Sequence, residues 1–240
     1  MIFQREEILI GKENLNKLKN SHVIIFGCGG VGGFVIEGLV RAGIGKITVV
    51  DFDTIDITNI NRQIIATQKT IGKNKVDVIK ERALSINPNI IVNTINEKYN
   101  SDTQDIFFNN KTYDYIVDAI DLISSKISLV EIAVQNNIPI ISSMGTGNKI
   151  NPTMLEISDI YKTSVCPLAK VMRRELKKRK IKKLKVLYSK ELPLKPKNED
   201  CSREKSVNVG SISFVPSVAG LVIASEVIKD ICDLKNLGGN

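Results

Sequence analysis

The chain has 240 residues, of which 42% are hydrophobic and 25% charged, a length and composition that suit one soluble α/β domain with an extension. Its formal net charge is +8, and its four cysteines include no Cys-x-x-Cys pair, which argues against a structural zinc site. The longest apolar run near the C-terminus, Phe214 to Ala224, is interrupted by proline, serine and glycine, so we expect no membrane partner and a cytoplasmic location.

The positive charge is concentrated in one segment. Between Tyr161 and Lys205 there are sixteen Lys or Arg residues against five Asp or Glu residues, a net charge of +11, so the rest of the chain carries −3. Nine basic residues and one acidic residue fall within the thirteen positions from Arg173 to Lys185. A polyanionic partner would therefore bind this segment rather than the rest of the chain.

The first predicted elements lie in residues 3 to 50. Hydrophobic residues among charged ones predict one or two short amphipathic helices over residues 3 to 20, broken near Gly11. The apolar runs Val23 to Phe26 and Ile47 to Val50 predict two buried strands. Between these strands lies an amphipathic helix, and its apolar face carries Val31, Val35, Leu39 and Ala42.

A Gly-x-Gly-x-x-Gly sequence joins the first strand to this helix. Its glycines are Gly27, Gly29 and Gly32, with Gly30 as a further glycine in the turn. Such glycines let backbone N–H groups approach a phosphate at the helix N-terminus. Asp51 follows the second strand, 19 positions after Gly32, where a carboxylate can accept a hydrogen bond from a ribose hydroxyl. The unit predicts a nucleotide site, and by itself it suits NAD as well as ATP.

Strands and helices continue to alternate up to about residue 147. The predicted elements are a helix over Gly72–Ile86 with Leu84 among its inward residues, strands over Ile90–Ile95, Tyr115–Asp118 and Ile138–Ser142, and a helix capped by Ser124 or Ser125. This alternation predicts an α/β fold with a doubly wound, mostly parallel, Rossmann-like sheet. Ligands of such sheets bind at the carboxyl ends of the strands, where the sequence places Asp118 and Asp121.

The pattern changes from Asn148 onward, so we expect residues 1–147 to form the core and residues 148–240 an extension of one continuous fold. The predicted elements are a strand over Met154–Ile157, a helix opened by Cys166-Pro167-Leu168, a strand over Val186–Ser189, a mobile loop over Leu192–Asn208 and a helix over Ser213–Ile231. In the first of these helices, Arg173, Arg174, Lys177 and Lys178 are expected to face away from the apolar stripe.

The charged residues near the glycine turn favour ATP over NAD. A dehydrogenase usually needs a His or Lys acid–base residue, and the single histidine, His22, lies at the far end of the first strand. Arg62 and Lys75 supply two cations that can neutralise phosphate oxygens as pyrophosphate leaves. Asp121 is placed to hold Mg²⁺ between phosphates. Either cation alone would be interpreted as a solvated surface residue, but together with Asn59 and Asp51 they indicate a site.

These motifs resemble the ubiquitin-activating-enzyme superfamily of the ThiF, MoeB and HesA type, over roughly residues 1–145. The matching residues are Gly27, Gly29, Gly30, Gly32, Asp51, Asp53, the run Thr58 to Gln63, Lys75, Asp118 and Asp121. Enzymes of this superfamily adenylate a carboxylate with Mg·ATP.

The resemblance implies a role for each matching position. The glycine turn would contact phosphates and Asp51 the ribose, while Asn59, Arg62, Gln63 and Lys75 would contact ATP. Asp121 would bind Mg²⁺, and Arg62, Lys75 and Asp121 would be the catalytic residues. Arg5 resembles an N-terminal arginine that reaches into the site of the partner subunit, which implies a functional homodimer.

The second half of the chain indicates one branch of the superfamily. Sulfur-carrier activators typically hold zinc with two Cys-x-x-Cys pairs, which this sequence lacks. The runs from Asp159 to Leu176 and from Gly210 to Gly220 are similar to the tRNA threonylcarbamoyladenosine dehydratase family. This resemblance covers nearly the whole chain and implies a tRNA carrying N6-threonylcarbamoyladenosine as the substrate, with adenylation of its threonyl carboxylate and cyclisation by the neighbouring carbamoyl group.

In such a reaction the nucleophile already belongs to the substrate, so no enzyme cysteine is required. We therefore favour a buried, inert Cys166 over a nucleophilic one, while Cys201 lies in the polar loop without a recognisable base. The basic segment is interpreted as a grip on the tRNA backbone, against the alternatives of a solvated helix face or a site for another polyanion. Its main residues are Arg173, Arg174, Lys177, Lys178 and Arg179.

Three alternative functions remain open at this point. Adenylation of the C-terminus of a ubiquitin-like sulfur-carrier protein would give ATP–pyrophosphate exchange stimulated by a small protein. A nucleotide-binding scaffold for a cysteine desulfurase and sulfur-acceptor system would bind ATP without turnover on tRNA. An NAD dehydrogenase would bind NADH and not ATP.

Overall fold

One seven-stranded sheet organises the protein in the computed structural model, which describes residues 2–195 and 209–234. The strands are β1 (His22–Phe26), β2 (Lys46–Val50), β3 (Ile91–Ile95), β4 (Tyr115–Asp118), β5 (Ile140–Ser143), β6 (Leu155–Asp159) and β7 (Lys185–Ser189). Their order is β3-β2-β1-β4-β5-β7-β6, and all neighbouring pairs are parallel except the antiparallel pair β6–β7. The order reverses between β1 and β4, which is where a doubly wound sheet opens a crevice for ligands.

Helices cover both faces of the sheet, as the predicted fold class requires. They are α1 (Gln4–Asn20), α2 (Gly32–Arg41), α3 (Lys75–Ile86), α4 (Gln104–Phe108), α5 (Ile123–Gln135), α6 (Pro167–Lys178) and α7 (Phe214–Ile231). Alternate residues of β1 enter different cores, because successive side chains of a strand point to opposite faces. Val23 and Ile25 pack with residues of α2, α3 and α7, whereas Ile24 and Phe26 pack with residues of α4 and α5.

Small residues let α7 approach α2 closely. A Cβ atom added at Gly220 would lie 2.4 Å from the carbonyl oxygen of Val31, and one added at Gly38 would lie 2.7 Å from the Cβ of Ala224. Neither position can hold a larger residue without moving a helix. The C-terminal helix is thereby fixed against the helix that starts at the glycine turn.

Several predictions about local structure are confirmed and two are wrong. Gly11, at φ +82°, interrupts α1 where the sequence indicated a break. The helix α5 begins after Leu122 with no side-chain cap, and Ser125 instead donates to the carbonyl oxygen of Tyr99 at 2.7 Å, so the predicted serine cap is wrong. Leu84, predicted to face inward on α3, is exposed because the buried face of that helix runs through Val76, Ile79 and Ala83.

The second half of the chain extends the same sheet. The predicted strands near Met154 and Val186 are β6 and β7, and β7 pairs with β5. Residues 196–208 of the predicted mobile loop, including Cys201, lie outside the described residues. Among the described residues, we find no helix with the length and apolar character needed to cross a membrane.

Candidate functional site

A cavity of about 680 Å³ opens at the carboxyl ends of β1, β2, β4 and β5. This volume is within the usual range for a small-molecule or cofactor site. Nearly all of the predicted nucleotide-site residues line it. They are Gly27, Gly29, Gly30, Asp51, Asn59, Arg62, Gln63, Lys75 and Asp121. Residues that are separated by up to 94 positions in the sequence are therefore brought to one crevice.

The glycine turn forms the floor of the cavity. Gly27 has φ +93°, and a Cβ atom there would lie 2.7 Å from the carbonyl oxygen of Ala119. Gly32 begins α2 so close to this turn that its Cβ would lie 1.7 Å from the carbonyl oxygen of Gly27. At Gly29, by contrast, the nearest atom to an added Cβ is Nε2 of Gln63 at 3.8 Å. The turn is tight on its protein side and open on its cavity side, beside the N-terminus of α2.

Asp51 is held at the end of β2 by two backbone donors. The N–H groups of Cys28 and Asp53 donate to its carboxylate at 2.6 and 2.9 Å. Burial raises the pKa of Asp51, while the charge of Lys75 and these two hydrogen bonds act in the opposite direction. The carboxylate is thus fixed against the glycine turn with its orientation set before any ligand binds.

Lys75, at the start of α3, is a buried cation. Lys75 is only 6% exposed, and its Nζ lies 2.7 Å from Oδ2 of Asp53. The backbone N–H of Lys75 also donates to the carbonyl oxygen of Asp53 at 3.1 Å. Sequence reasoning included Asp53 in the motif but assigned it no role, although the spacing Asp51-Phe-Asp53 was visible. Asp53 is the residue that positions Lys75 at the cavity wall.

The loop before α3 supplies Asn59, Arg62 and Gln63. Asn59 is buried, and its side chain accepts from the N–H of Asp56, the residue that caps a short 3₁₀ turn. The guanidinium of Arg62 donates to the carbonyl oxygen of Thr58 and to the side chain of Asn61, both at 2.9 Å. Oε1 of Gln63 is buried without a hydrogen-bond partner among the described residues. An unpaired buried polar atom is costly, so Oε1 marks a polar group of this loop that the described residues leave unsatisfied.

Asp118, the last residue of β4, and Asp121, which follows it, have different surroundings. Asp121 is exposed and lines the cavity. Asp118 is buried and forms an ion pair with Lys126 at 2.9 Å. No cluster of three metal-ligating side chains occurs within residues 2–195 and 209–234. A single carboxylate at the cavity edge fits Mg²⁺, because this ion usually combines one or two carboxylates with phosphate oxygens and water.

The opposite wall of the cavity was not recognised in the sequence. It consists of residues 143–147, Leu168, Val209, Ser211 and Pro216. Asn148 joins parts of this wall, since its N–H donates to the carbonyl oxygen of Gly210 at 2.8 Å and its side chain accepts from the N–H of Gly210 at 2.6 Å. Asn61 donates to the carbonyl oxygen of Ser211 at 3.0 Å. These contacts join residues that are far apart in sequence, so no local sequence pattern could have predicted this wall.

The helix α6 begins at the cavity, because Leu168 in its first turn lines the wall. Glu175 receives ion pairs from three predicted nucleic-acid residues at 3.0 to 3.1 Å. These residues are Arg174, Lys178 and Arg179. Lys178 and Arg179 lower the pKa of Glu175 to about 2.

Arg173 departs from the predicted outward orientation. It is half-buried, and its Nη1 donates to the carbonyl oxygen of Thr163 at 2.9 Å. Lys177 is exposed, as predicted.

Three other residues discussed in the sequence analysis do not line this cavity. Arg5 is exposed on α1 and does not line it. Cys166 is 2% exposed directly before α6, which agrees with the favoured interpretation of a buried residue opening a helix. His22 shares a hydrogen bond of 2.8 Å with the hydroxyl of Thr48, and burial together with Lys46 lowers its pKa to about 4.

The family is decided by comparison with known proteins. The model of the ThiF family matches residues 3–238. The chain belongs to the ThiF family. This result confirms the superfamily indicated by the motif series.

Three similarities to individual proteins show which branch of the ThiF family this chain resembles. It is 43% identical to the tRNA threonylcarbamoyladenosine dehydratase of Bacillus subtilis, over 95% of the chain and 94% of that relative. Its fold superposes on a crystal structure of Escherichia coli tRNA N6-threonylcarbamoyladenosine dehydratase, TcdA, in complex with ATP, with a TM-score of 0.87, 30% identity and coverage of 99% and 96%. It is 32% identical to the Saccharomyces cerevisiae adenylyltransferase and sulfurtransferase UBA4, over 60% of the chain and 32% of that protein.

Proposed function

We propose that this protein is an ATP-dependent tRNA threonylcarbamoyladenosine dehydratase, which converts N6-threonylcarbamoyladenosine in tRNA to its cyclic form. The observation that carries the proposal is the extent of the similarity. The dehydratase relative matches 95% of the chain, and the matched region includes both the cavity and α6. The nucleotide cavity alone is common to many adenylating enzymes and would not select this substrate.

The weaker similarity to a sulfur-carrier activator disfavours activation of a sulfur-carrier protein as the function. The UBA4 relative matches only 60% of the chain. The shared nucleotide-binding chemistry explains a partial match, because both types of enzyme adenylate a carboxylate. A cavity that binds ATP next to a basic helix suits an RNA-linked carboxylate better than a small protein.

The first chemical step is activation of the threonyl carboxylate. One of its oxygens attacks the α-phosphorus of ATP, and the bond from that phosphorus to the bridging oxygen breaks to release pyrophosphate. Arg62 and Lys75 stabilise the negative charge that develops on the phosphate oxygens. Asp53 keeps Lys75 at the wall, Asp51 holds the ribose, and the N–H groups of the glycine turn contact phosphate at the start of α2.

The second step closes the ring and releases AMP. An atom of the neighbouring carbamoyl group attacks the activated carbonyl carbon, and the bond to the AMP oxygen breaks. The oxygen lost from the substrate leaves on AMP, so the overall change in the nucleoside is the loss of one water. Since the nucleophile is attached to the substrate, the enzyme mainly positions it. This mechanism is consistent with a buried Cys166 that takes no part.

Mg²⁺ is proposed as the metal of the reaction, held by Asp121 together with phosphate oxygens. When bound, the ion supplies charge neutralisation of the departing pyrophosphate. The remaining assignments of the nucleotide site follow from the cavity lining. Asn59 and Gln63, which both line the cavity, contact ATP.

The tRNA backbone is proposed to bind along α6 and the turn that follows it. Exposure and ion pairing support a revised set of residues for this role. Arg174, Lys178 and Arg179 share Glu175, whereas Lys177, Lys182 and Lys183 are exposed and have no ion-pair partner in the described part of the chain. Lys177, Lys182 and Lys183 can therefore contact phosphates without giving up an ion pair within the protein. Arg173 acts within the fold, by holding the Thr163 carbonyl at the start of α6.

A homodimer in which Arg5 reaches the partner's site is also part of the proposal. Ile8 and Leu9, on the same helix as Arg5, are 79% and 82% exposed. Large exposed apolar side chains on one short helix suit burial in a protein interface. Residues 1–147 would then act as the adenylating core and residues 148–240 as the substrate-recognising extension.

The test is mass spectrometry of nucleosides from tRNA that carries threonylcarbamoyladenosine, after incubation with the protein, Mg²⁺ and ATP. We expect the loss of one water from that nucleoside and one AMP for each conversion. Arg62→Ala serves as the inactive control. AMP release that requires a ubiquitin-like protein and leaves tRNA unchanged would contradict the proposal and favour the sulfur-carrier alternative.

A further inference from the structure

A fully buried ion pair lies directly beneath the cavity. The side chains of Asp118, at the end of β4, and Lys126, in α5, are both 0% exposed, and Nζ of Lys126 lies 2.9 Å from Oδ2 of Asp118. Ser142 of β5 donates to the same carboxylate oxygen at 2.5 Å. The pair therefore joins two neighbouring strands and one helix. A buried ion pair generally adds little stability compared with apolar residues of similar size, so its presence calls for another explanation.

Both members of the pair hold the backbone of one residue, Ile120. The N–H of Ile120 donates to Oδ1 of Asp118 at 3.2 Å, and the carbonyl oxygen of Ile120 accepts from Nζ of Lys126 at 2.9 Å. Ile120 immediately precedes Asp121, and residues 119–122 all line the cavity. The backbone that carries Asp121 is thus gripped at both of its polar groups by charged partners.

The same loop also contacts the glycine turn. The N–H of Ala119 donates to the carbonyl oxygen of Phe26 at 2.9 Å, and its own carbonyl oxygen closes the space beside Gly27. A movement of residues 119–122 would therefore change the position of Asp121 and the shape of the phosphate floor together. Charge-assisted hydrogen bonds are shorter and stronger than neutral ones, which suits them to fixing such a loop.

We infer that Asp118, Lys126 and Ser142 are positioning residues, which hold the loop 119–122 in the conformation that binds ATP and places Asp121. The inference rests on the proposed function of the cavity. It assigns to the first acid of the Asp118-x-x-Asp121 motif a role distinct from that of the second. Asp118 acts through Ile120 and does not touch the nucleotide.

The test replaces the whole network by apolar groups, in the variant Asp118→Val/Lys126→Met/Ser142→Ala. Removing all three polar groups together avoids leaving a buried charge unpaired, so we expect a folded protein. The dissociation constant of Mg·ATP, measured by isothermal titration calorimetry, should rise about tenfold or more, as for other losses of supporting residues around a site. Hydrogen exchange of the amides in residues 119–122 should become faster. A structural role alone would change the melting temperature and leave both readouts unaffected.

The matched control is Glu37→Gln/Arg82→Met, which removes an ion pair between α2 and α3 that does not line the cavity. It should lower the melting temperature without changing ATP affinity. Equal ATP affinity and unchanged exchange in the apolar triple variant would overturn the inference. If the triple variant does not fold, Ser142→Ala, which keeps the ion pair, should still weaken ATP binding by about twofold to fivefold through the loss of one hydrogen bond, and wild-type affinity would again overturn it. Because these readouts need no tRNA, they remain informative even if the wild-type protein dehydrates no nucleoside.

Discussion

The cavity and the helix α6 use positive charge in opposite ways. In the cavity, Lys75 is buried and held by Asp53, and the position of its Nζ is set before a ligand arrives. On α6 the cations are mostly exposed, and several of them share the single acid Glu175. A buried, oriented charge can stabilise one transition state strongly, whereas exposed charges attract a polyanion weakly, additively and in a salt-dependent way. Each region should therefore respond differently to the same loss of charge.

The largest effect is expected from Lys75→Met, which keeps most of the buried side-chain volume and removes the charge. ATP-dependent AMP release should fall by about 10² to 10³, because one preorganised charge at the phosphates is lost. Single-turnover assays measure this loss. Lys80→Met, at an exposed position of the same helix, is the control and should retain activity. Near-normal turnover in Lys75→Met would show that this cation does not act on the phosphates.

A smaller effect is expected from Asp51→Asn. The amide would place a donor against the N–H of Cys28 or Asp53, which both donate to the native carboxylate. ATP should bind about tenfold more weakly, since a buried donor loses its acceptor. Calorimetric titration with ATP gives the affinity, and Glu81→Gln on the surface of α3 controls for the loss of one negative charge. Equal ATP affinities of the two variants would show that Asp51 does not contribute to ATP binding.

For the basic surface, the informative variant is Lys177→Glu/Lys182→Glu/Lys183→Glu. Its affinity for tRNA should fall by about tenfold or more at moderate salt, and the slope of log affinity against log salt should decrease by roughly 2 to 3, because phosphate contacts are lost. ATP binding should not change. Filter binding at several salt concentrations measures both quantities.

The matched control is Lys12→Glu/Lys69→Glu/Lys80→Glu, which changes the net charge equally at exposed lysines outside α6. If the tRNA affinity of both triple variants falls by the same factor, tRNA binding depends on the overall charge of the protein, and α6 is not a specific tRNA-binding surface.

The smallest effect is expected at His22, which belongs to neither region. The pKa of His22 is lowered to about 4 in the folded protein, so the unfolded chain binds the proton more readily. The neutral imidazole supports the fold above pH 6.5, and this contribution is lost as the pH falls from 6.5 towards 4. In His22→Gln the melting temperature should decline less steeply over that window, with ATP affinity unchanged. An identical pH profile in the variant would exclude a contribution from His22.

Much of the nucleotide-binding half could be predicted because its signals are local. The glycine turn and Asp51 are tied to strand ends, and the parallel sheet brings such ends to one edge regardless of loop details. The order of strands and helices was equally visible as alternating apolar runs. The orientation of Arg173 was predicted from helical spacing, and it was wrong because a distant carbonyl, that of Thr163, provides a better partner than water.

The sequence by itself determined the fold class and most of the nucleotide-site residues, since the glycine turn and the hydrophobic periodicity are local properties of the chain, and its motif series indicated the family by resemblance. Only the tertiary structure decided that Asp118 is buried with Lys126 and which cations already have partners. It also revealed the wall formed by Asn148 and Gly210, residues 62 positions apart. These features depend on contacts between distant segments, and nothing in a one-dimensional pattern specifies the distance between two side chains that meet only after folding.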